Sequence, residues 1–175
     1  MDLKLKHVLV DTCFLIHWQK YSSANYFDNV LKILEENNCV PVINELIRQE
    51  FTRLAASRQH YNERNDFIEK FRAYSLPISQ DIWEDAILIS QICNFSHKIV
   101  NSITDSVIMA QMKKWESKLV LLTADLSDFQ KPFIDRFNLQ AIDVKNNVIT
   151  IGFHKFNNQE FLTHKSRFER FKPKI

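Results

Sequence analysis

The chain has 175 residues, 45% of them hydrophobic, with 23 basic and 21 acidic residues for a net charge of +2. That length suits one domain burying roughly 70% of its unfolded surface, which needs no covalent staple. Gly152 is the only glycine, which excludes a Walker A loop, a GxGxxG dinucleotide turn and a GxSxG elbow, because each needs several glycines where backbone meets phosphate or turns tightly.

The N-terminal stretch MDLKLKHVLVDTCFLIHW places lysines before an apolar run, but Asp11 breaks that run and no small-residue cleavage site follows. No apolar stretch is long enough to cross a membrane. Cys13, Cys39 and Cys93 form no CxxC or Cys/His cluster and read as three reduced core thiols, so a cytoplasmic location is expected.

In chain order, KHVLV at 6–10 predicts a first buried strand, a helical pattern covers about 24–36, and CVPVI at 39–43 predicts a second strand. Helices follow at about 44–56, 60–73, 80–94 and 104–116, two of them opened by the cap-like ISQD and SITD. After them come the strand KLVLLT, a helical segment near 128–137 and a strand LQAIDV at 139–144. Short apolar strands separated by helices predict an α/β fold with a parallel sheet covered on both faces.

Residues 145–175 differ in character. They hold seven basic residues against two acidic ones, a balance of +5 that leaves −3 for the first 144. AIDVKNNVITIGF suits a hairpin turning at Asn146-Asn147, and the remainder interleaves basic residues with Phe156, Phe161, Phe168 and Phe171. Two readings stay open: a C-terminal element packing its phenylalanines on the body, or an aromatic, basic surface in which Lys165, Arg167, Arg170 and Lys172 contact nucleic acid.

The carboxylates carry the chemistry. Ligands of an open parallel sheet bind beyond the carboxyl ends of its strands, and Asp11 and Asp125 each follow an apolar strand, with Asp128 a helical turn further on. In the helix from Asn44, Glu50 falls on the stripe of Leu46, Ile47, Phe51 and Leu54, whereas Glu45 points away with Arg48, Gln49 and Thr52. Asp105 shares a stripe with Ile108, Met109 and Met112. The plain readings are that Asp105 is a first-turn helix acid with Thr104 as cap, that Asp125 and Asp128 are turn or cap residues, and that Glu50 pairs with an arginine. Yet two carboxylates about 4 Å apart repel by roughly 4 kcal/mol at an effective dielectric near 20, so a converging set needs a divalent cation. An all-oxygen set favours magnesium or manganese over zinc.

The motifs resemble those of PIN-domain nucleases, most closely the VapC-type toxin ribonucleases. DTCFLI at 11–16 is similar to the family's DTNVLI, the spacing from Asn44 to Glu50-Phe51 to its second acid motif, DSVIMAQ at 105–111 to its third, and TADLSDF at 123–129 to its fourth. The resemblance implies a three-layer α/β/α PIN-like domain with a central parallel sheet over residues 1–144, followed by a C-terminal extension at 145–175, either hairpin or helix. It further implies that Asp11, Glu50, Asp105 and Asp125 hold one or two Mg2+ or Mn2+ ions, with Asp128 assisting and Thr12 and Thr123 orienting ligands or water. On that basis the expected activity is an endoribonuclease that uses a metal-activated water and leaves 5′-phosphate and 3′-hydroxyl ends. It would be either the toxin of a toxin-antitoxin pair, with an antitoxin and a homodimer as partners, or an RNA-processing nuclease. The alternatives are a DNA nuclease of the flap-processing kind and a non-catalytic PIN scaffold. A phosphatase of the haloacid dehalogenase type is excluded, since Cys13 stands where its second aspartate belongs.

Overall fold

The structure, a computed structural model, describes residues 3–21, 25–71, 74–127, 129 and 132–171. Its strands are β1 (His7–Val10), β2 (Val40–Asn44), β3 (Tyr74–Leu76), β4 (Leu119–Thr123), β5 (Ile134–Val144) and β6 (Asn147–Phe156). They form one sheet in the order β3-β2-β1-β4-β6-β5, with β1 to β4 parallel and β6 antiparallel to both of its neighbours, β4 and β5. Val8, Leu9 and Val10 of β1 and Leu119 to Leu122 of β4 are all buried, as the central strands of a sheet covered on both faces must be.

The helices are α1 (Thr12–Tyr21), α2 (Asp28–Glu36), α3 (Glu45–Arg53), α4 (Arg58–Phe71), α5 (Gln80–His97), α6 (Ile103–Lys114) and α7 (Asn158–Phe171). α3 packs against α1 and α4, while α5 packs against α6 and α7. Right-handed crossovers put the first group on one face, because β1, β2 and β3 step one way across the sheet, and put α5 and α6 on the other, because the chain then steps back past β1 to β4. No helix among the described residues is long and apolar enough to cross a membrane.

Several expectations need correction. The helical segment near 128–137 is absent over 134–137, which belong to β5; residues 128, 130 and 131 lie outside the described residues. The register of β5 on β6 shifts between Arg136 and Asn138, and that bulge breaks the two-residue alternation by which a strand is recognised. The expected parallel sheet holds for β1 to β4, and the antiparallel β6 makes the whole sheet mixed but mostly parallel. α1 and the short β3 carry no counterpart in the predicted elements, and Thr52, expected on the outer face of α3, is buried with its hydroxyl donating to the Arg48 carbonyl at 2.8 Å.

The hairpin joining β5 to β6 turns at Lys145 and Asn146, one residue before the expected pair, with Val144 opposite Asn147 and Lys145 at φ 55°. β6 then runs between β4 and β5, so residues beyond 144 supply an interior strand of the same sheet. α7 follows, burying Phe161 against Phe133 and Phe156 and laying Phe168 on Phe95, while Phe171 stands 72% exposed. None of the three cysteines is in a disulfide, and of the three only Cys93 is buried.

Candidate active site

β1 and β4 are neighbours whose outgoing connections lead to opposite sides, which makes their carboxyl ends the switch point of the sheet. Asp11 follows β1 directly, and Asp125 lies two residues past β4. Between them opens a cleft of about 210 Å³ lined by Asp11, Thr12, Cys13, Glu50, Arg53, Leu54, Ser102, Asp105, Asp125 and Phe129. Four of the five predicted acids therefore share one cavity; the fifth, Asp128, lies outside the described residues.

Each carboxylate is held by hydrogen-bond donors of its surroundings. Asp11 is buried, its Oδ1 accepting from the Thr12 backbone N–H at 2.7 Å and its Oδ2 from the Thr123 hydroxyl at 2.7 Å. Thr12 also donates its hydroxyl to Glu50 Oε2 at 3.0 Å, so one residue ties the first two acids together. Thr104 donates to Glu50 Oε1 at 2.7 Å. Glu50 is thus satisfied by two hydroxyls from α1 and α6, and Glu45 is exposed, as the face argument requires.

α6 begins with a capping box: the Ser102 hydroxyl accepts from the Asp105 N–H at 3.0 Å, and an Asp105 carboxylate oxygen accepts from the Ser102 N–H at 3.3 Å. Ser102, not Thr104, is the cap. The Asp125 Oδ1 accepts from both the N–H and the hydroxyl of Ser127, at 3.0 and 2.7 Å, an Asx-type turn that ends the β4 excursion. Beneath the cleft, wholly buried Asn44 caps α3 through the Ile47 N–H and donates to Gln111 Oε1 at 2.8 Å, which locks α3 to α6.

Electrostatics single out Asp11. Burial pushes its pKa up to about 6; the Thr123 hydroxyl and the Thr12 N–H oppose that rise, and the negative charge of Asp105 adds to it. By donor chemistry the cleft fits a hard divalent cation, since four carboxylates face one space and each carboxylate has about four acceptor sites. The carboxylates do not converge, however: among the described residues no group of three His, Cys, Asp or Glu lies close enough to hold a metal ion. The oxygens are turned instead toward threonine hydroxyls, a helix cap and a turn.

Of the predicted nucleic-acid contacts, Lys165, Arg167 and Arg170 sit on α7 and do not line the cleft; Lys172 lies outside the described residues. Arg167 and Arg170 are exposed, and Lys165 is 3.7 Å from Glu169. Two residues that bear on the acids, Thr104 beside Glu50 and Arg53 in the cleft lining, are not marked by the sequence as site residues. Thr104 was expected as a cap, and Arg53 carried a usable signal, being three residues from Glu50 on the same helix face.

The chain has the architecture of an open α/β sheet with an acid-lined cleft at its switch point, the place where sheets of this kind bind ligands. Residues 8–132 match the PIN domain, and the chain belongs to the PIN domain family, a nuclease-type fold whose members are typically metal-dependent nucleases. Comparison with the curated proteins found no match.

Proposed function

We propose that the chain is a metal-dependent endoribonuclease. The observation that carries this reading is the gathering of Asp11, Glu50, Asp105 and Asp125 around one cleft, each delivered by a different element. These four would hold Mg2+ or Mn2+, with Asp128 as the further acid of the same loop. A bound divalent cation supplies the Lewis acid that polarises a phosphodiester and lowers the pKa of water. Thr12 and Thr123 orient the carboxylate of Asp11, and Thr12 and Thr104 that of Glu50. Arg53, at the rim, meets the phosphate and offsets the charge of the acids. The basic face of α7, with Arg167 and Arg170, extends the contact to the RNA backbone.

The test incubates the protein with labelled single-stranded RNA and matching DNA, with manganese or with chelator, beside Asp11→Asn. Manganese-dependent cutting of RNA that disappears in the variant is the expected result. Cutting of DNA in preference to RNA would replace the substrate, and cation binding that does not depend on Asp11 would defeat the site.

A further inference from the structure

Beside the acid-lined cleft lies a second hollow of about 410 Å³, and Cys13 and Asp125 line both, so the two are continuous. Its other walls include His17, Leu126, Ser127 and Thr150. α1 leads out of the cleft along this hollow. Cys13, His17, Lys20 and Tyr21 stand at i, i+4, i+7 and i+8, which is one stripe of a helix. Phe14 and Leu15, on the other side of α1, are fully buried.

The stripe is chemically coherent. The His17 and Tyr21 rings are parallel to within 7°, their centroids 6.5 Å apart. Lys20 is exposed, with its Nζ 5.1 Å from the Tyr21 ring centroid. His17 Nδ1 is withdrawn from solvent with no hydrogen-bond partner among the described residues. Burial and then the neighbouring Lys20 lower the His17 pKa, so the imidazole is neutral near pH 7 and keeps both a donor and an acceptor. Aromatic faces beside a cation, next to a hollow that Ser127 and Thr150 line together with His17, match the bases and phosphates of a single strand better than the apolar surface of a protein partner.

We infer that the outer stripe of α1 binds the nucleotides on one side of the bond to be cut, the strand passing Cys13 and stacking its bases on His17 and Tyr21 while Lys20 meets a phosphate. This rests on the ribonuclease reading of the adjoining cleft. The reach is suitable: from Cys13 to Tyr21 the helix rises about 12 Å, the length of about three bases stacked 3.4 Å apart.

Fluorescence anisotropy of a short labelled single-stranded RNA, in chelator so that nothing is cut, tests it. The paired substitution His17→Ala with Tyr21→Ala is expected to weaken binding about tenfold, and Lys20→Gln to reduce the salt slope by about one counterion. In parallel, 4-thiouridine RNA irradiated with the unaltered protein should crosslink to the peptide carrying His17 and Tyr21. That measurement, like the exposed Lys20→Gln, does not depend on the aromatic pair being replaceable. Unchanged affinity and salt slope in folded variants, crosslinks only to other peptides, or no binding by the unaltered protein would each overturn the inference. Binding that depends on the stripe, without cutting in manganese, would support the stripe and count against the ribonuclease reading alone.

Discussion

Asp11 is the residue on which the site's energetics turn. A carboxylate whose folded pKa is about 6, against about 3.9 in an unfolded chain, binds more protons folded than unfolded between those values, so its contribution to stability declines as pH rises through that window. Above it the ionised form costs about 3 kcal/mol. In chelator, Asp11→Asn should therefore be more stable than the unaltered protein at about pH 7.5, by about 1–3 kcal/mol after allowance for altered hydrogen bonds, and the difference should close toward pH 4. Urea denaturation across that range measures it, and a pH-independent difference would contradict the burial argument. A divalent cation should raise the melting temperature of the unaltered protein and leave that of Asp11→Asn unmoved. Thr104→Val offers a complementary case. It removes the hydroxyl that holds Glu50 Oε1, so cutting should fall about tenfold or more while the helix keeps its Ser102 cap. Equal activity in the two proteins would assign Thr104 to packing.

At the scale of elements, α6 and β6 position what the residues do. The capping box fixes the start of α6, so Ser102→Ala, which removes the acceptor of the Asp105 N–H and leaves the backbone N–H that the Asp105 carboxylate accepts from, should lose about 1 kcal/mol of stability and reduce activity by loosening the turn that aims Asp105. A loss of stability with unchanged cutting would confine the Ser102 hydroxyl to capping. In β6, Gly152 lies opposite Thr123, and a Cβ built there would stand 2.5 Å from His154 Nε2 and 2.8 Å from Leu126 Cδ2. His154 is 1% exposed and cannot swing away, and Leu126 belongs to the loop that carries Asp125. Gly152→Ala is therefore expected to destabilise by about 1–3 kcal/mol, and thermal melting beside an exposed control such as Val148→Ala reads it. Both His154 nitrogens are buried without a hydrogen-bond partner among the described residues, and burial, then Arg136, lowers its pKa to about 4, so it remains neutral under the loop.

For the whole molecule, the mixed sheet decides how the C-terminal residues can act. Because β6 is interior, removing it would expose β4, and the RNA contacts of α7 are better tested by substitution than by truncation. Arg167→Gln with Arg170→Gln should leave melting unchanged and lower the salt slope of RNA binding by about one per lost contact. An unchanged slope would leave α7 as a packing element, held by Phe161 and Phe168.

Much of the site was legible in the chain before folding, for a definite reason. β1 and β4 are unbroken apolar runs, each followed by an aspartate, and α3 and α6 place Glu50 and Asp105 by helical spacing; all are local patterns of three or four residues. The parts that were not legible depend on contacts across long separations. Thr104 meets Glu50 across 54 residues and Thr123 meets Asp11 across 112, and no local pattern encodes either bond. The strand expected at 139–144 is the second part of β5, whereas its first part, on the far side of the bulge, was hidden, and β6 looked like an appendage because its place between β4 and β5 is an outcome of pairing energy over the whole sheet. Local periodicity thus named the acids and their elements, whereas the hydroxyls that aim them, and the strand that supports them, arose from long-range packing, where burial drives most polar groups to find a partner wherever the fold supplies one.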